Sequence, residues 1–470
     1  MGEIASSTNA GQKTARQAGY ARYVFAIMFA ISFLNYLDRY VLIGAANVVA
    51  KELGFSLDGI GYITSAFLII YTLGAVPLGI WADRSQRKNV VAICVAVWSV
   101  ATALTALAGS FLALFFSRMI LGIGEAGYFP AGTALMSDYF SREKRSRIMS
   151  WWSIAQYIGL LGGYVLGGAL AGLYIGSWRL AFLFTGIPGL FLAFLMWRVR
   201  EPRRNQADEE AAALETSPMS NISEIEESPH VAVTSNVLSQ FFALLRIKTL
   251  AVLIVMQIFA YFVLGVNSVF LPTYLQQKDT FNLTSGLAGL YSGGIIVLAG
   301  LVGTMLGGYM ADMLNRRHPG ARVLICGIGF LLGAPSFAMT MLFHDLTTFT
   351  IFFIVTVLLL TIYTGPSTAA TQDVVPSILR ASAVAITLLI AHLLGDAFAP
   401  SIVGIIATQF DPTHGQHFLA GMAGHDLSIA LLITCTPALV IAGLIGIFGS
   451  RWMGTDVAAA QRADRLAKEE

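Results

Sequence analysis

Apolar residues are arranged along the chain in twelve long runs that are separated by polar stretches. The runs cover residues 22–49, 59–81, 89–109, 112–137, 148–174, 178–198, 249–274, 286–311, 322–343, 347–369, 381–408 and 427–450. Each run supplies the roughly 20 residues that a helix needs to cross a bilayer. The pattern predicts an all-α membrane protein with twelve transmembrane helices, six before and six after a central polar segment.

The central polar segment divides the predicted helices into two sets. It carries eight acidic residues between Glu201 and Glu227, mixed with proline, serine and asparagine, a composition typical of a solvated linker. We therefore predict a tail at 1–21, an N-terminal six-helix bundle at 22–198, a linker at 199–248, a C-terminal six-helix bundle at 249–450 and a second tail at 451–470.

Basic residues lie almost entirely on one side of the predicted helices. Twenty-four of the 29 lysines and arginines fall in the tails and in the connections on the same side, whereas the other connections hold only Lys51 and Lys278. Because basic residues accumulate in cytoplasmic loops, both termini are expected in the cytoplasm. We expect an integral protein of a bacterial inner (plasma) membrane.

The overall composition agrees with this prediction and excludes other classes of protein. Hydrophobic residues make up 56% of the chain and charged residues only 12%, about half the charged share of a soluble domain. A soluble enzyme, a disordered protein and a nucleic-acid binder are excluded. The sequence has neither a phosphate-binding glycine loop nor a clustered His/Cys motif, so no cofactor and no metal site is expected.

A repeated loop motif relates the two halves. GIWADRSQRK at 79–88 and GYMADMLNRR at 308–317 share one pattern at an offset of 229 residues. The candidate functional residues of the two copies are Gly79, Asp83, Arg87, Asp312 and Arg316. A carboxylate near a helix end can pair with the helix dipole and arginines in one conformation and separate in another. Membrane anchoring would explain the basic residues but not the repeated aspartate, so we favour a gating role.

The loop motif resembles that of the major facilitator superfamily. Within it, NYLDRY (35–40), GIGEAGY (122–128) and HLLGDAFAP (392–400) resemble the spinster-like lipid transporters. The resemblance implies the major facilitator fold, gating by the loop motif, and an amphiphilic lysolipid- or sphingosine-phosphate-like substrate. EAGYFPAG (125–132) is closer to the organic-anion permeases of the same superfamily, which leaves small organic anions as an alternative substrate class.

Several charged residues fall within the predicted helices, where burial in lipid is costly. Asn35, Asp38 and Arg39 are spaced to share one face of the first helix. Arg118 and Glu125 share one face of the fourth helix at similar depth. This spacing predicts one cluster of carboxylates and guanidiniums around a central cavity.

Proton coupling is the functional interpretation of this cluster. Burial beside another acid favours a protonated carboxylate, whereas a neighbouring arginine favours the ionised form. We expect Glu125 to be the titrating group with Asp38 as its partner, and Arg39 and Arg118, with Asn35, to balance charge or bind substrate. The spinster resemblance implies the same roles. A static ion-pair network that fixes helix packing is the alternative.

Other polar residues within the predicted helices are candidates for the cavity wall. His392 and Asp396 form an i, i+4 pair that could be a second proton site. The full set is Gln156, Tyr157, Gln257, Tyr261, Asn267, Tyr363, His392 and Asp396. Each of them could instead bridge two helices.

These observations predict a monomeric secondary transporter that works by alternating access and is driven by protons. Its partners would be the substrate, protons and membrane lipids. An intramembrane enzyme that uses Asp38 and Glu125 as acid and base is a different class of hypothesis. Paired carboxylates are compatible with it, but no nucleophile or metal site accompanies them in the sequence.

Overall fold

The structure is a computed structural model in which the described residues are 2–204, 206–208, 244–315, 317–376, 379–422 and 424–469. Most of the predicted linker, and Arg316 of the loop motif, lie outside the described residues. For residues 2–18, 142, 143, 146, 381 and 467–469 we describe only the course of the backbone.

Residues 2–198 form seven helices. They are α1 (Gly2–Leu53), α2 (Leu57–Arg84), α3 (Arg87–Ala106), α4 (Phe111–Ala126), α5 (Tyr128–Tyr139), α6 (Arg142–Ala171) and α7 (Trp178–Arg198). The second half forms α8 (Lys248–Gln276), α9 (Ser285–Asn315), α10 (Ala321–Leu342), α11 (Leu346–Thr361), α12 (Thr364–Asp373), α13 (Arg380–Ala391), a π-helix (His392–Asp396), α14 (Ala399–Phe410), α15 (Gln416–Leu419), α16 (Gly424–Gly449), a 3₁₀-helix (Ser450–Trp452) and α17 (Met453–Glu469).

Twelve stretches of the described residues are helical and apolar enough to cross a membrane, which confirms the prediction of twelve spanning helices. Three of the spans are not continuous α-helices. The fourth span breaks at Gly127 between α4 and α5, and the tenth breaks between α11 and α12. The eleventh contains the π-helix. Apolar runs do not reveal such breaks, because a run continues through them.

Each half packs as a bundle of its own. In the first half α1 packs on α6, and α3 packs on α7 and α4. In the second half α16 packs on α8 and α10, and α9 packs on α11. Large side chains fill both interiors: Trp98 and Trp178 are fully buried in the first half, and Phe270 and Phe330 in the second.

The two halves meet at one end of the molecule. We call the end at which the first span begins the terminal face, and the other end the opposite face. Near the opposite face α2 packs on α14 and α6 packs on α9. The backbone N–H of Ser401 donates to Ser65 Oγ (3.2 Å), and the hydroxyl of Tyr164 donates to the carbonyl of Ser268. These contacts hold the opposite face closed.

Towards the terminal face, the same helices pack within their own halves. Gly74 and Gly79 of α2 lie against Ala126 and Pro130 of the first half. A Cβ atom at Gly308, near the end of α9, would meet no described heavy atom within 4 Å. The halves are therefore separated at the terminal face and joined at the opposite face.

Both predicted tails differ from simple extended segments. The sequence suggests a polar tail at 1–21, but helix α1 begins at Gly2, in a stretch that contains no proline to end it. The C-terminal tail forms α17, where the carboxylate of Asp456 accepts hydrogen bonds from the backbone N–H (2.8 Å) and hydroxyl (2.6 Å) of Thr249. Asp456 thereby caps the first turn of α8.

Candidate functional site

The strongest of the buried charge contacts joins α1 to α4. The guanidinium of Arg39 donates to Glu125 Oε2 from Nη2 (2.6 Å) and from Nε (3.2 Å). The Glu125 side chain has no exposed surface, and its Oε1 has no partner among the described residues. A buried carboxylate that depends on a single arginine is strongly coupled to the position of that arginine.

Asp38 and Arg118 lie beside this pair and contact each other through the backbone of Asp38. Arg118 Nη1 donates to the backbone carbonyl of Asp38 (3.3 Å), not to its carboxylate. The carboxylate of Asp38 accepts from the hydroxyl of Thr102 (3.3 Å). Arg118 is 2% exposed, and its Nε and Nη2 have no partner within the described part of the chain. The structure thus brings the four predicted charged residues together. Two donor nitrogens of the Arg118 guanidinium have no hydrogen-bond partner among the described residues.

Aromatic rings surround both guanidiniums. Arg39 lies 4.7 Å from the ring centroid of Tyr71 and 5.0 Å from that of Phe67. Arg118 lies 4.8 Å from the ring centroid of Phe182. Such contacts stabilise a cation in an apolar setting. Asn35, on the same face of α1, is 3% exposed, and its amide nitrogen has no described partner.

A cavity lies between the two halves next to these charges. It measures about 610 Å³, including its open mouth. Arg39, Arg118, Tyr40 and Thr64 contribute polar groups from the first half, and Asp396 contributes a carboxylate from the second. The apolar lining residues are Leu42, Ile43, Ile63, Phe67, Leu68, Leu121 and Val269. A lining that is largely apolar with a few convergent polar groups is typical of a ligand-binding site.

An apolar groove adjoins the cavity between α1 and α2. The two spaces share Leu42, Ile43, Ile63 and Thr64. The other groove residues are Ala46, Val49, Phe55 and Ile60. The cavity with its charged groups is therefore continuous with an apolar surface between α1 and α2.

The predicted His392–Asp396 pair is formed, within the π-helix. His392 Nδ1 lies 2.9 Å from Asp396 Oδ2, and the ring of His392 packs edge-on against Tyr261, with centroids 4.4 Å apart. The backbone N–H of Ala397 donates to the carbonyl of His392, five residues earlier (3.0 Å). Short π-helical turns within α-helices occur frequently at functional sites.

The other predicted cavity residues occupy different positions. Gln257 and Asn267 are buried on α8, where the amide of Asn267 donates to the carbonyl of Val263 (2.8 Å). Tyr363 packs against Phe330 in the second half. Gln156 and Tyr157 are half-buried on α6. None of these five lines the cavity described above, so their contact with substrate stays a prediction.

The first loop motif forms a network that the sequence did not predict. Arg87 forms an ion pair with Asp138 at the end of α5, instead of with Asp83. Both oxygens of Glu201 accept hydrogen bonds from the first backbone N–H groups of α3, Arg87 (2.8 Å) and Lys88 (3.0 Å). The carbonyl of Asp83 accepts from Arg204. Asp138 and Glu201 are the residues that sequence reasoning missed here.

The second half repeats this arrangement with a shifted register. Arg322 forms an ion pair with Asp373 at the end of α12 and a second, at 3.2 Å, with Asp312. The two Arg–Asp pairs have the same separation of 51 residues. Arg322 is therefore the structural counterpart of Arg87, at an offset of 235 rather than 229. The predicted counterpart, Arg316, lies outside the described residues.

A charge exchange tests the Arg87–Asp138 pair. Arg87→Asp and Asp138→Arg should each reduce transport and thermal stability, because losing one partner of a buried ion pair typically costs about 3–5 kcal/mol. The double variant should recover part of both losses. Melting temperature in detergent and flux in proteoliposomes are the measurements, and a double variant no better than the poorer single one would show that the pair does not act directly.

A group of metal-type side chains lies at the opposite face. Asp411, His417 and Asp426 have one ligand atom each within 4.8 Å of one another. Asp411 is already engaged: its carboxylate accepts from the backbone N–H groups of Thr413 (2.8 Å) and Gly415 (2.9 Å). Burial opposes ionisation, but these hydrogen bonds and His417 hold the pKa of Asp411 below its usual value. The arrangement closes the loop after α14.

Comparisons with known proteins agree with this architecture. The sequence model of the Major Facilitator Superfamily matches residues 28–400. Protein spinster homolog 1 of Xenopus tropicalis is 27% identical over 439 residues, which cover 89% of this chain and 78% of that protein.

Two solved structures share the fold. The crystal structure of a bacterial homolog to the human lysosomal transporter Spinster, in an inward-facing and unoccupied conformation, has a TM-score of 0.80 and 23% identity over 93% of this chain and 98% of that chain. That of a D-xylose–proton symporter has a TM-score of 0.64 and 17% identity over 92% of this chain and 97% of that chain.

The family match extends over most of the chain and includes residues 28–53 of α1, all of α4 and the first loop motif. The fold is therefore the major facilitator fold predicted from the sequence, with spinster proteins among the relatives. These relatives are transporters, so the hypothesis of an intramembrane enzyme is set aside. The chain is an integral membrane transporter that belongs to the major facilitator superfamily.

Proposed function

We propose that the protein is a proton-coupled secondary transporter of an amphiphile with an anionic head group, such as a lysolipid or a sphingosine-phosphate-like molecule. The observation that carries this proposal is the cavity itself. Arg118, which has two donor nitrogens without a described partner, lines the cavity, and an apolar groove adjoins it. An anionic head group would satisfy Arg118, and the apolar end of the ligand would lie against the apolar side chains between α1 and α2.

The Arg39–Glu125 pair supports coupling to protons. Glu125 is fully buried and accepts hydrogen bonds from Arg39, which also lines the cavity. A substrate anion that attracts Arg39 would weaken its contact with Glu125, and the isolated carboxylate would then take up a proton. Proton and substrate would thus be linked through one arginine, with Asp38 as a neighbouring acid.

The apolar groove favours an amphiphile over a small organic anion. Of its eight lining residues only Thr64 carries a polar side chain, so a short carboxylate would gain nothing from it. The two guanidiniums alone would suit either class, because both phosphate and carboxylate accept paired hydrogen bonds from arginine.

The closed opposite face supports an inward-facing assignment of this conformation. If the positive-inside rule holds for this chain, the terminal face with Arg84, Arg87 and Arg145 lies in the cytoplasm. The cavity would then open to the cytoplasm of a bacterial cell, with the protein in the inner membrane and acting as a monomer. Protease or labelling access to the two faces in intact cells would test the orientation.

Replacement of Arg118 tests the head-group assignment. Arg118→Gln should weaken the binding of oleoyl-lysophosphatidylglycerol by roughly tenfold or more, because hydrogen bonds to a charged group contribute about 1.5–3 kcal/mol. Binding of neutral monoolein should change little. Thermal shift and flux in proteoliposomes, at two pH values and with small carboxylates in parallel, are the measurements.

Arg179→Gln is the matched control, because Arg179 pairs with Glu52 near the opposite face, outside the cavity. Equal losses for the anionic and neutral amphiphiles in Arg118→Gln would contradict the head-group role. Transport of small carboxylates without any lysolipid flux would favour the organic-anion alternative.

A further inference from the structure

The cavity has opposite charges on its two sides. Arg39 and Arg118 belong to the first half, and Asp396, at the end of the π-helix, belongs to the second. All three line the same space. A ligand that bridges the two halves would therefore meet guanidinium donors on one side and a carboxylate acceptor on the other.

Only one of the two carboxylate oxygens of Asp396 has a partner among the described residues. Its Oδ2 contacts His392 Nδ1, whereas its Oδ1 is buried and has no partner among the described residues. The side chain is 14% exposed. Leaving a buried acceptor without a hydrogen-bond donor is costly. A ligand in the cavity could supply the donor that Oδ1 lacks among the described residues.

The ionisable groups on the two sides of the cavity differ in kind. Arg39 and Arg118 lie on the first half, and Arg39 is paired with Glu125. Asp396 lies on the second half, where it contacts His392. A head group that carries an ammonium as well as a phosphate would add a cation beside Asp396 and an anion beside Arg118, which is favourable in a desolvated site.

The local backbone fixes Asp396 at this position. Gly395 packs its backbone against the carbonyl of Ile258, and a Cβ at Gly265 would lie 2.6 Å from the Asp396 Cβ. Two glycines thus allow the π-helix and α8 to approach closely. Tyr40 lines the same cavity and offers an aromatic ring, a favourable neighbour for an ammonium group.

We propose that Asp396 binds the ammonium group of a zwitterionic head group whose phosphate is bound by Arg118. This inference rests on the proposed function, since it assigns a substrate subclass to the same cavity. Asp396 is then the residue that distinguishes amine-bearing amphiphiles from amine-free ones. His392 holds Oδ2 of the carboxylate and leaves Oδ1 for the ligand.

Two probes that differ in the head-group alcohol, one with an ammonium and one without, test the proposal. Oleoyl-lysophosphatidylethanolamine and oleoyl-lysophosphatidylglycerol share the acyl chain and the phosphodiester, and the second has hydroxyl groups in place of the ammonium. Wild-type protein should prefer the ethanolamine probe. Asp396→Asn should weaken the binding of the ethanolamine probe by roughly tenfold or more and should change the binding of the glycerol probe by no more than about twofold. Uptake into proteoliposomes and competition binding are the measurements.

Asp396→Glu and Asp345→Asn are the companion variants. Asp396→Glu keeps the charge and should retain part of the preference, whereas Asp345→Asn changes an exposed helix cap on α11 and should match wild type. Equal weakening of both probes in a stably folded Asp396→Asn would overturn the ammonium subsite while leaving the proposed function intact. Failure of the wild-type protein to transport either lysolipid would instead overturn the proposed function.

Discussion

Glu125→Gln should abolish transport driven by a pH gradient while ligand binding partly survives. The substitution keeps the size of the side chain but removes the negative charge that pairs with Arg39 at 2.6 Å. Glutamine does not exchange a proton, so protonation at position 125 could no longer release Arg39. Substrate binding and proton uptake would then no longer be linked through Arg39. We expect the pH-driven flux to fall to the level of protein-free liposomes.

Glu52→Gln is the matched control for this variant. Glu52 also pairs with an arginine, Arg179, but near the opposite face and partly exposed to solvent. Its replacement should leave the pH dependence of flux unchanged. Binding measured by thermal shift separates loss of coupling from misfolding, and pH-driven flux that persists in Glu125→Gln would remove Glu125 from the coupling mechanism.

Gly289→Ala should shift the protein away from the conformation described here. Gly289 lies in the first turn and a half of α9, where α9 packs on α6 of the other half. A Cβ atom there would lie 2.5 Å from the carbonyl oxygen of Tyr164, so the backbones would have to separate. Overpacking of this kind costs about 1–3 kcal/mol, which changes the ratio of two conformations by about 5- to 150-fold.

Spin labels across the terminal face can measure this shift. Gln86→Cys on the first half and Met313→Cys on the second provide exposed labelling sites, and the native Cys94, Cys326 and Cys435 are buried. Gly289→Ala should move the distance distribution towards shorter values as the terminal face closes.

Gly294→Ala on the same helix is the control, because a Cβ at Gly294 would meet nothing within 4 Å. An unchanged distance distribution in Gly289→Ala would mean that the contact between Gly289 and Tyr164 does not set the closed opposite face.

The spanning helices and the central charge cluster could be predicted because their signals are local. Apolar runs of bilayer length located the twelve spans, and helical spacing placed Asp38 and Arg39 on one turn of α1. Similar depth on two helices predicted that these charges cluster, but not that Arg39 pairs with Glu125. By contrast, the contact of Arg118 with the backbone of Asp38 depends on the approach of two helices, which spacing within each helix does not determine.

The ion pairs at the terminal face were missed because the internal repeat changes register. In the second half, the paired arginine lies six residues farther from the start of the loop motif, so Arg322 takes the place of Arg87. Asp138 and Asp373 are each presented by a short helix that follows a break in its span. The common separation of 51 residues between Arg87 and Asp138, and between Arg322 and Asp373, was the one signal in the sequence that could have identified both pairs.

The π-helix was not predictable from local pattern. HLLGD reads as an ordinary helical segment, and its i, i+4 spacing correctly predicts that His392 and Asp396 meet. The extra residue in the turn arises from tertiary packing, where Gly395 lies against α8. Sequence reasoning therefore identified the pair but not the backbone that holds it at the cavity.

Simultaneous measurement of proton and lysolipid movement in proteoliposomes tests the central claim most directly. The vesicles contain a pH-sensitive dye, and oleoyl-lysophosphatidylethanolamine is added outside. Wild-type protein should move protons only after the lysolipid is added. Glu125→Gln should not move protons under either condition. Lysolipid flux by wild-type protein that proceeds at the same rate without any accompanying proton movement would contradict the account.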